Sequence, residues 1–263
     1  MTKVNILSGY SLAGGSTLHH IALTNLLNEK GIDCTFYGPH PWHQDKCKSG
    51  LLNEFKSSKE DILITHFLDM HGPLEEGCKQ HILSCHETNL FPLKDKNTDQ
   101  YDLIQYVSNS QKNWQGIEHP HVIIPPIIDK VEWTAPGRDT AGVVGSLDAH
   151  KQVHLSIQRA LEDGYERVIV FGPITDSNYF GKHVLPLVNH KVNIFGEVTD
   201  KKKMYESVDA VYHSSKRETF NMVKAECKLA GIPYYGLSSA DSDGKILERE
   251  EIFELWKKCL KFQ

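Results

Sequence analysis

The chain has 263 residues, enough for one large core or two modest ones. Charged residues at 24% and hydrophobic residues at 40% fit an ordinary globular protein, and a net charge of −5 argues against a nucleic-acid binder that works by neutralising phosphates. No apolar run approaches the roughly 18 residues of a membrane span. The opening MTKVNILSGY runs straight into an apolar strand pattern with no basic-then-apolar export signal, so a cytoplasmic location is expected. The six cysteines are scattered, form no C-x-x-C pair and read as reduced thiols. The fifteen histidines show no metal-ligand spacing. Surface or packing roles are expected for most, the close pairs His19–His20 and His119–His121 included, and no metal site is expected.

Short β-branched runs alternate with amphipathic stretches, the pattern of parallel α/β layers. A first strand is predicted at Lys3–Leu7 and a loop at Gly9–Ser16. A helix follows over Thr17–Glu29, with its apolar period at Leu18, Ile21, Ala22 and Leu26 and Gly31 as its stop. Further strands are predicted at Asp33–Tyr37, Ile62–Thr65, Ile82–Cys85, Leu103–Val107 and Val122–Ile124; residues 43–60 and 68–80 carry no clear pattern. The polar stretch 129–140, with Pro136 and Gly137, reads as a linker. Alternation then resumes: strand Gly142–Val144, helix His150–Glu162, strand Val168–Phe171, a helix through Val184–Leu187 and strand Val192–Phe195. After these come helix Asp200–Val208, strand Ala210–His213, helix Asn221–Ala230, strand Pro233–Tyr235 and a closing helix over 246–261. Two such series predict an α/β protein of two Rossmann-like domains, residues 1–130 and 131–263.

The segment Ser214–Pro233, SSKRETFNMVKAECKLAGIP, carries the most chemistry. It follows a predicted parallel strand, whose carboxyl end opens on the ligand crevice of such sheets. Glu218 falls in the loop and Asn221 is the predicted N-cap. The helix is expected to bury Val223, Cys227 and Ala230, with Glu226 off that stripe and able to accept from ribose hydroxyls. Free amides of Phe220, Asn221 and Met222 at the helix start suit a diphosphate. Glu218 could contact sugar hydroxyls or stabilise positive charge at an anomeric carbon. Two acids eight residues apart are weak evidence alone, since one could be a solvated loop carboxylate and the other a helix-surface acid.

The segment resembles the E-x7-E motif of retaining glycosyltransferases with the GT-B fold, of the group 1 (family 4-like) type. Phe220 stands inside the motif, and Ala225–Glu226 followed by Gly231–Ile232–Pro233 is similar to its ending. Ordered partial matches precede it: Val144–Gly145, Lys151, Phe171–Gly172–Pro173, Asp176 with Tyr179, Val192–Gly196 and Tyr205–Asp209. In the first half Gly14–Gly15–Ser16, Ser84–Cys85–His86–Glu87, Ser108 and Ile124–Asp129 resemble the family's corresponding turns. The resemblance implies two domains facing a cleft, the first on the acceptor side and the second binding the nucleotide sugar, with the last helix packing back on the first.

It further implies a retaining, hexosyl-type transfer from a UDP- or GDP-linked sugar, with no cofactor and no obligatory metal. The acceptor, whether glycan, lipid or small molecule, is not specified. Glu218 and His86 would orient the sugar in the catalytic centre, Glu226 would hold ribose, and Lys151 with Gly14 and Gly15 would meet the phosphates. Two departures stand out. Ser146 replaces the arginine that usually grips phosphate, for which Arg217 or Lys216 could substitute, and the chain is shorter than typical members. A nucleotide-sugar epimerase on a related scaffold, or a degenerate nucleotide-sugar-binding module without turnover, are the alternatives.

Overall fold

The computed structural model describes residues 2–10, 14–41, 44–66, 77–88, 92–237 and 243–261; residues 11–13, in the predicted loop Gly9–Ser16, lie outside this set. The chain divides into two compact units, Met1–Ile127 with Asp243–Gln263, and Ile128–Ser242.

The first unit is built on a seven-stranded sheet of β1 (Val4–Ser8), β2 (Cys34–Gly38), β3 (Ser49–Leu51), β4 (Ile62–His66), β5 (Gln80–Cys85), β6 (Leu103–Tyr106) and β7 (His121–Ile123). Their order is β3-β2-β1-β4-β5-β6-β7, and every pairing is parallel. All five residues of β1 and of β4 are buried, as befits strands covered on both faces. Helix α1 (Gly15–Glu29) packs Leu23, Leu26 and Leu27 into this core. Gly31, at φ +80°, ends it as predicted. Helix α2 (Asn109–Gln115), capped by Ser108 Oγ accepting from Gln111 N at 3.1 Å, was not visible in the apolar pattern because its seven residues NSQKNWQ are almost all polar. The closing helix is α7 (Arg249–Cys259), which buries Ile252, Phe253 and Trp256 in the same core. Gln80 Nε2 donates to the Cys259 carbonyl at 3.1 Å and fastens the helix end to β5.

The second unit carries five parallel strands, β8 (Thr140–Val144), β9 (Arg167–Phe171), β10 (Val192–Gly196), β11 (Ala210–His213) and β12 (Tyr234–Gly236), in the order β10-β9-β8-β11-β12. Helix α3 (Val153–Glu162) covers one face through Val153, Ile157 and Ala160. α6 (Met222–Ala230) covers the other with Cys227, beside Met204 and Tyr205 of α5 (Lys201–Tyr205). α5 is shorter than the predicted Asp200–Val208. The helix expected through Val184–Leu187 is instead composite: α4 (Ser177–Tyr179), a π turn at Phe180–Val184 and a 3-10 turn at Leu185–Leu187 that opens around Pro186. Residues 129–139 form no regular element. Trp133 Nε1 donates to the Val208 carbonyl at 3.1 Å, and Asp209 accepts from the amides of Gly137, Arg138 and Thr140 at 2.6, 2.9 and 3.0 Å. Among the described residues no helix is long and apolar enough to cross a membrane.

The α/β class and the two parallel, Rossmann-like sheets expected from the sequence are both present. In each sheet the strand order reverses once, between β1 and β4 in the first unit and between β8 and β11 in the second. Such switch points splay the connecting loops apart at the strands' carboxyl ends and open a ligand crevice.

Candidate functional site

In the second unit the switch point gathers three charged or polar side chains. Glu218 lies in the loop beyond β11, and its Oε1 accepts from Lys151 Nζ at 2.5 Å and from His213 Nε2 at 2.9 Å. His213 is the last residue of β11, and its other ring nitrogen faces the Val144 carbonyl of β8 at 3.3 Å, so it spans the two strands of the reversal. Burial alone would raise the Glu218 carboxyl; the Lys151 ammonium and His213 outweigh it and hold the group down at about 2. Glu218 is therefore an anion at neutral pH. Lys151 has two further N–H donors beyond the one given to Glu218.

The turn before α3 explains how Lys151 is presented. Asp148 Oδ1 accepts from the amides of His150 and Lys151 at 2.8 and 2.9 Å, while Ser146 Oγ donates to Asp148 Oδ2 at 2.5 Å. Ser146, where the family resemblance led one to look for arginine, thus orders this turn. The turn is tied to the 214–218 loop, because His150 Nε2 bonds the Arg217 carbonyl at 2.7 Å and Lys216 N donates to the His150 carbonyl at 3.0 Å. Gly145 (φ +153°) and Gly172 (φ +144°) are required beside it: a Cβ on Gly172 would stand 2.0 Å from the Gly145 carbonyl oxygen.

Glu226 is placed differently from expectation. It is 3% exposed, not off the buried face of α6. The reason is α5, which lies over it: Tyr205 Oη donates to Glu226 Oε2 at 2.6 Å and Lys201 Nζ to Oε1 at 2.5 Å. Val223 and Ala230, predicted to be buried, are only partly so. Asn221 caps α6 as predicted, its Oδ1 accepting from Lys224 N at 2.9 Å, and its Nδ2 donates to Tyr234 Oη at 2.9 Å. Phe220 is buried beside the cap, and Met222 is the first helical residue.

In the first unit the equivalent ends of β1 and β4 hold Ser8 and His66, whose side chains meet at 3.2 Å. His66 Nε2 is 2.9 Å from Glu87 Oε1, an ion-pair separation. Burial pushes the Glu87 carboxyl up, and His66 with local donors more than offsets it, leaving it below its usual range. His86, predicted from the sequence, sits here with His19, His20 and His66, its ring centre 5.2, 5.0 and 5.3 Å from theirs. Protons in this cluster can be assigned from their partners. Gln105 Nε2 donates to the Ile124 carbonyl at 2.6 Å, which turns Oε1 toward Ser84. Ser84 Oγ gives that oxygen its only proton at 2.7 Å. It must then accept from the Nε2 of His20 at 2.9 Å and of His86 at 3.1 Å. Burial first, and neighbouring histidines second, hold His20 and His86 well below the usual imidazole range and His19 at about 3. Gly14 begins α1 as its N-cap with φ −73°, and a Cβ there would meet the Tyr10 ring at 3.1 Å; Gly15 is the first helical residue.

No protein-family model matches the sequence, and no curated protein sequence matches it. Solved structures do. HepE of Anabaena, solved with UDP and glucose, matches with a TM-score of 0.67 at 14% identity, over 98% of this chain and 90% of its own. AviGT4, a glycosyltransferase involved in avilamycin A biosynthesis, matches with a TM-score of 0.63 at 19% identity, over 90% of this chain and 79% of its own. WaaG, a glycosyltransferase involved in lipopolysaccharide biosynthesis, matches with 0.64 at 12% identity, over 100% and 91%. The chain has a glycosyltransferase fold of the GT-B kind. At these identities the likeness is one of fold, and the assignment of chemistry has to come from the site.

Sequence reasoning placed Lys151 and Glu218 in one site, and the structure brings them into contact. It missed His213, Lys201 and Tyr205, whose signal was only their position at strand or helix ends. It also missed the histidine cluster. His19 and His20 come from α1, His66 from the end of β4 and His86 from beyond β5, so no local spacing could reveal them.

Proposed function

We propose that the protein is a glycosyltransferase that moves a hexosyl group from a nucleotide sugar to an acceptor with retention of configuration and without an obligatory metal. The observation that carries the reading is Glu218, a buried anion held by Lys151 and His213 at the switch point of a glycosyltransferase fold. An ionised carboxylate there suits an oxocarbenium-like transition state, in which positive charge grows on the sugar ring as the bond to the diphosphate breaks. The remaining donors of Lys151 and the amides at the start of α6 face the opposite demand, the negative charge of the departing phosphate. Glu226 has two of its lone-pair positions taken by Lys201 and Tyr205 and two left for the vicinal hydroxyls of a ribose.

For the first unit, on the acceptor side in this reading, His86 is assigned to the sugar and Gly14–Gly15 to the phosphates. Arg217 is the substitute for the phosphate-gripping arginine replaced by Ser146. The structure of HepE with UDP and glucose supports a UDP-linked donor over a GDP-linked one. No protein base is assigned, and the cytoplasm remains the proposed location.

A panel of UDP- and GDP-sugars, read by thermal shift and by nucleotide release, tests this. One donor should stabilise the protein and be consumed, Lys151→Met should lower both responses by at least tenfold, and Arg217→Ala should raise the donor Kd. An unchanged Kd in Arg217→Ala would remove that residue from the site. An epimerised sugar, or binding without turnover, would replace the transferase reading with the epimerase or the binding module.

A further inference from the structure

We propose that a tyrosine-walled cavity at the amino-terminal end of the second sheet binds a small alkylammonium ion. The cavity holds about 850 Å³, in the range of small-molecule sites. Its wall carries Tyr165, Tyr212 and Tyr235 with Asp139, Asp163 and Asp209, and no cationic side chain. Asp139, Tyr165 and Asp209 stand within two residues of the starts of β8, β9 and β11. Glu218 follows β11, so the cavity lies at the opposite end of the sheet from the donor site.

The tyrosines form one aromatic assembly. Tyr212, 1% exposed, stacks on Tyr235 with ring centres 4.8 Å apart and meets Tyr165 edge-on at 5.7 Å. Tyr212 Oη donates to Asp163 Oδ2 at 2.7 Å, which fixes the inner ring. Tyr235 belongs to the edge strand β12 and is 40% exposed, so the ring face turned away from Tyr212 is open. Such a face attracts a cation through its quadrupole. The chain supplies an example: the Arg159 guanidinium stands 5.9 Å from the Tyr212 ring centre, with its Nε 4.0 Å from Asp163 Oδ2.

Arg159 offsets one of the three carboxylates. Among the described residues no lysine or arginine pairs with Asp139 or Asp209. Burial pushes the Asp209 carboxyl up, but the amides of Thr140, Arg138 and Gly137 outweigh it and hold the group below its usual range. Burial first, then Tyr235 and the three aspartates, push the Tyr165 phenol up, which keeps that ring neutral beside a negative wall. The carboxylates are poorly placed for a hard metal ion. Asp209 gives both oxygens to backbone amides and Asp163 gives one to Tyr212, whereas calcium takes about six to eight oxygen ligands. An alkylammonium ion needs no fixed shell of lone pairs, only negative charge and ring faces.

The test uses the full chain without a nucleotide sugar, carbon-13-labelled at tyrosine and titrated by NMR with tetramethylammonium, its neutral analogue tert-butanol, and glucose. Tetramethylammonium is expected to shift the Tyr165 and Tyr235 ring signals saturably. It should bind at least tenfold more tightly than tert-butanol or glucose, and more weakly as salt rises. Asp139→Asn and Tyr235→Leu should each weaken it at least threefold; Asp99→Asn, on an exposed carboxylate elsewhere, should not. Asp139 has φ +54°, a conformation that asparagine also adopts, so that variant keeps its backbone. Vesicles of phosphatidylcholine, which present the same head group on a membrane, should not sediment the protein. Equal responses to tetramethylammonium and tert-butanol, glucose binding as tight as that of the ion, or capture by the vesicles would overturn the proposal. So would unchanged affinity in Asp139→Asn with native circular dichroism. Because no donor is present, a negative result here leaves the transferase reading standing, and a failed donor screen leaves this one standing.

Discussion

Glu218 ties stability to pH as well as chemistry to site. Its carboxyl falls from an ordinary 4.5 to about 2 in the fold, so its stabilising contribution is complete above about 4.5 and is lost as pH falls toward 2. A displacement of that size corresponds to on the order of 3 kcal/mol at neutral pH. Lys151→Met should cost a comparable amount at pH 7, and the gap to the parent protein should narrow by pH 3, as urea melts at both values would show. A constant gap would mean that Lys151 acts through packing. The histidines act in a higher window. His19 drops from 6.5 to about 3, with His20 and His86 shifted the same way; unfolding therefore takes up protons, and stability declines as pH falls below about 6.5. His66 and the ionised Glu87 face the same cluster. In His20→Asn the decline between pH 6.5 and 4.5, above the range of Glu218, should be shallower.

At the scale of elements, the glycine loop and the closing helix make the sharpest demands. Gly172→Ala would force a Cβ to 2.0 Å from a carbonyl oxygen at a φ of +144°, and neither backbone can retreat without unseating the turn that carries Lys151. A loss of about 3 kcal/mol or more is expected in chemical denaturation. Trp256 is wholly buried in the core of the first unit although it lies at the far end of the sequence. Trp256→Ala should cost about 3–5 kcal/mol, and hydrogen exchange should locate the loosening in the first unit's strands. Most strands were legible because parallel strands buried on both faces read as short β-branched runs, as in VNIL and RVIVF. α2 was not, being almost entirely polar. Nor was the broken 177–187 stretch, where apolar spacing says helix but a π turn and Pro186 break its regularity.

Across the whole molecule, both candidate sites occupy the same place in their sheets: a histidine at the end of the strand beyond the reversal, His66 or His213, faced by a glutamate from a following loop, Glu87 or Glu218. The second site was legible because its residues lie in ordered motifs with Glu218 and Lys151 at recognisable positions. The first was not, because the fold collects its histidines from separate elements. Glu226 shows the other limit, since a helical wheel places it on a free face and only α5 puts it indoors. The most direct measurement is nucleotide release from a panel of UDP- and GDP-sugars, with the released sugar's configuration read by NMR and Glu218→Gln as the comparison. The account predicts consumption of one donor with retained anomeric configuration, reduced at least a hundredfold in the variant. Donor consumption that Glu218→Gln leaves untouched, or inversion at the anomeric carbon, would contradict it.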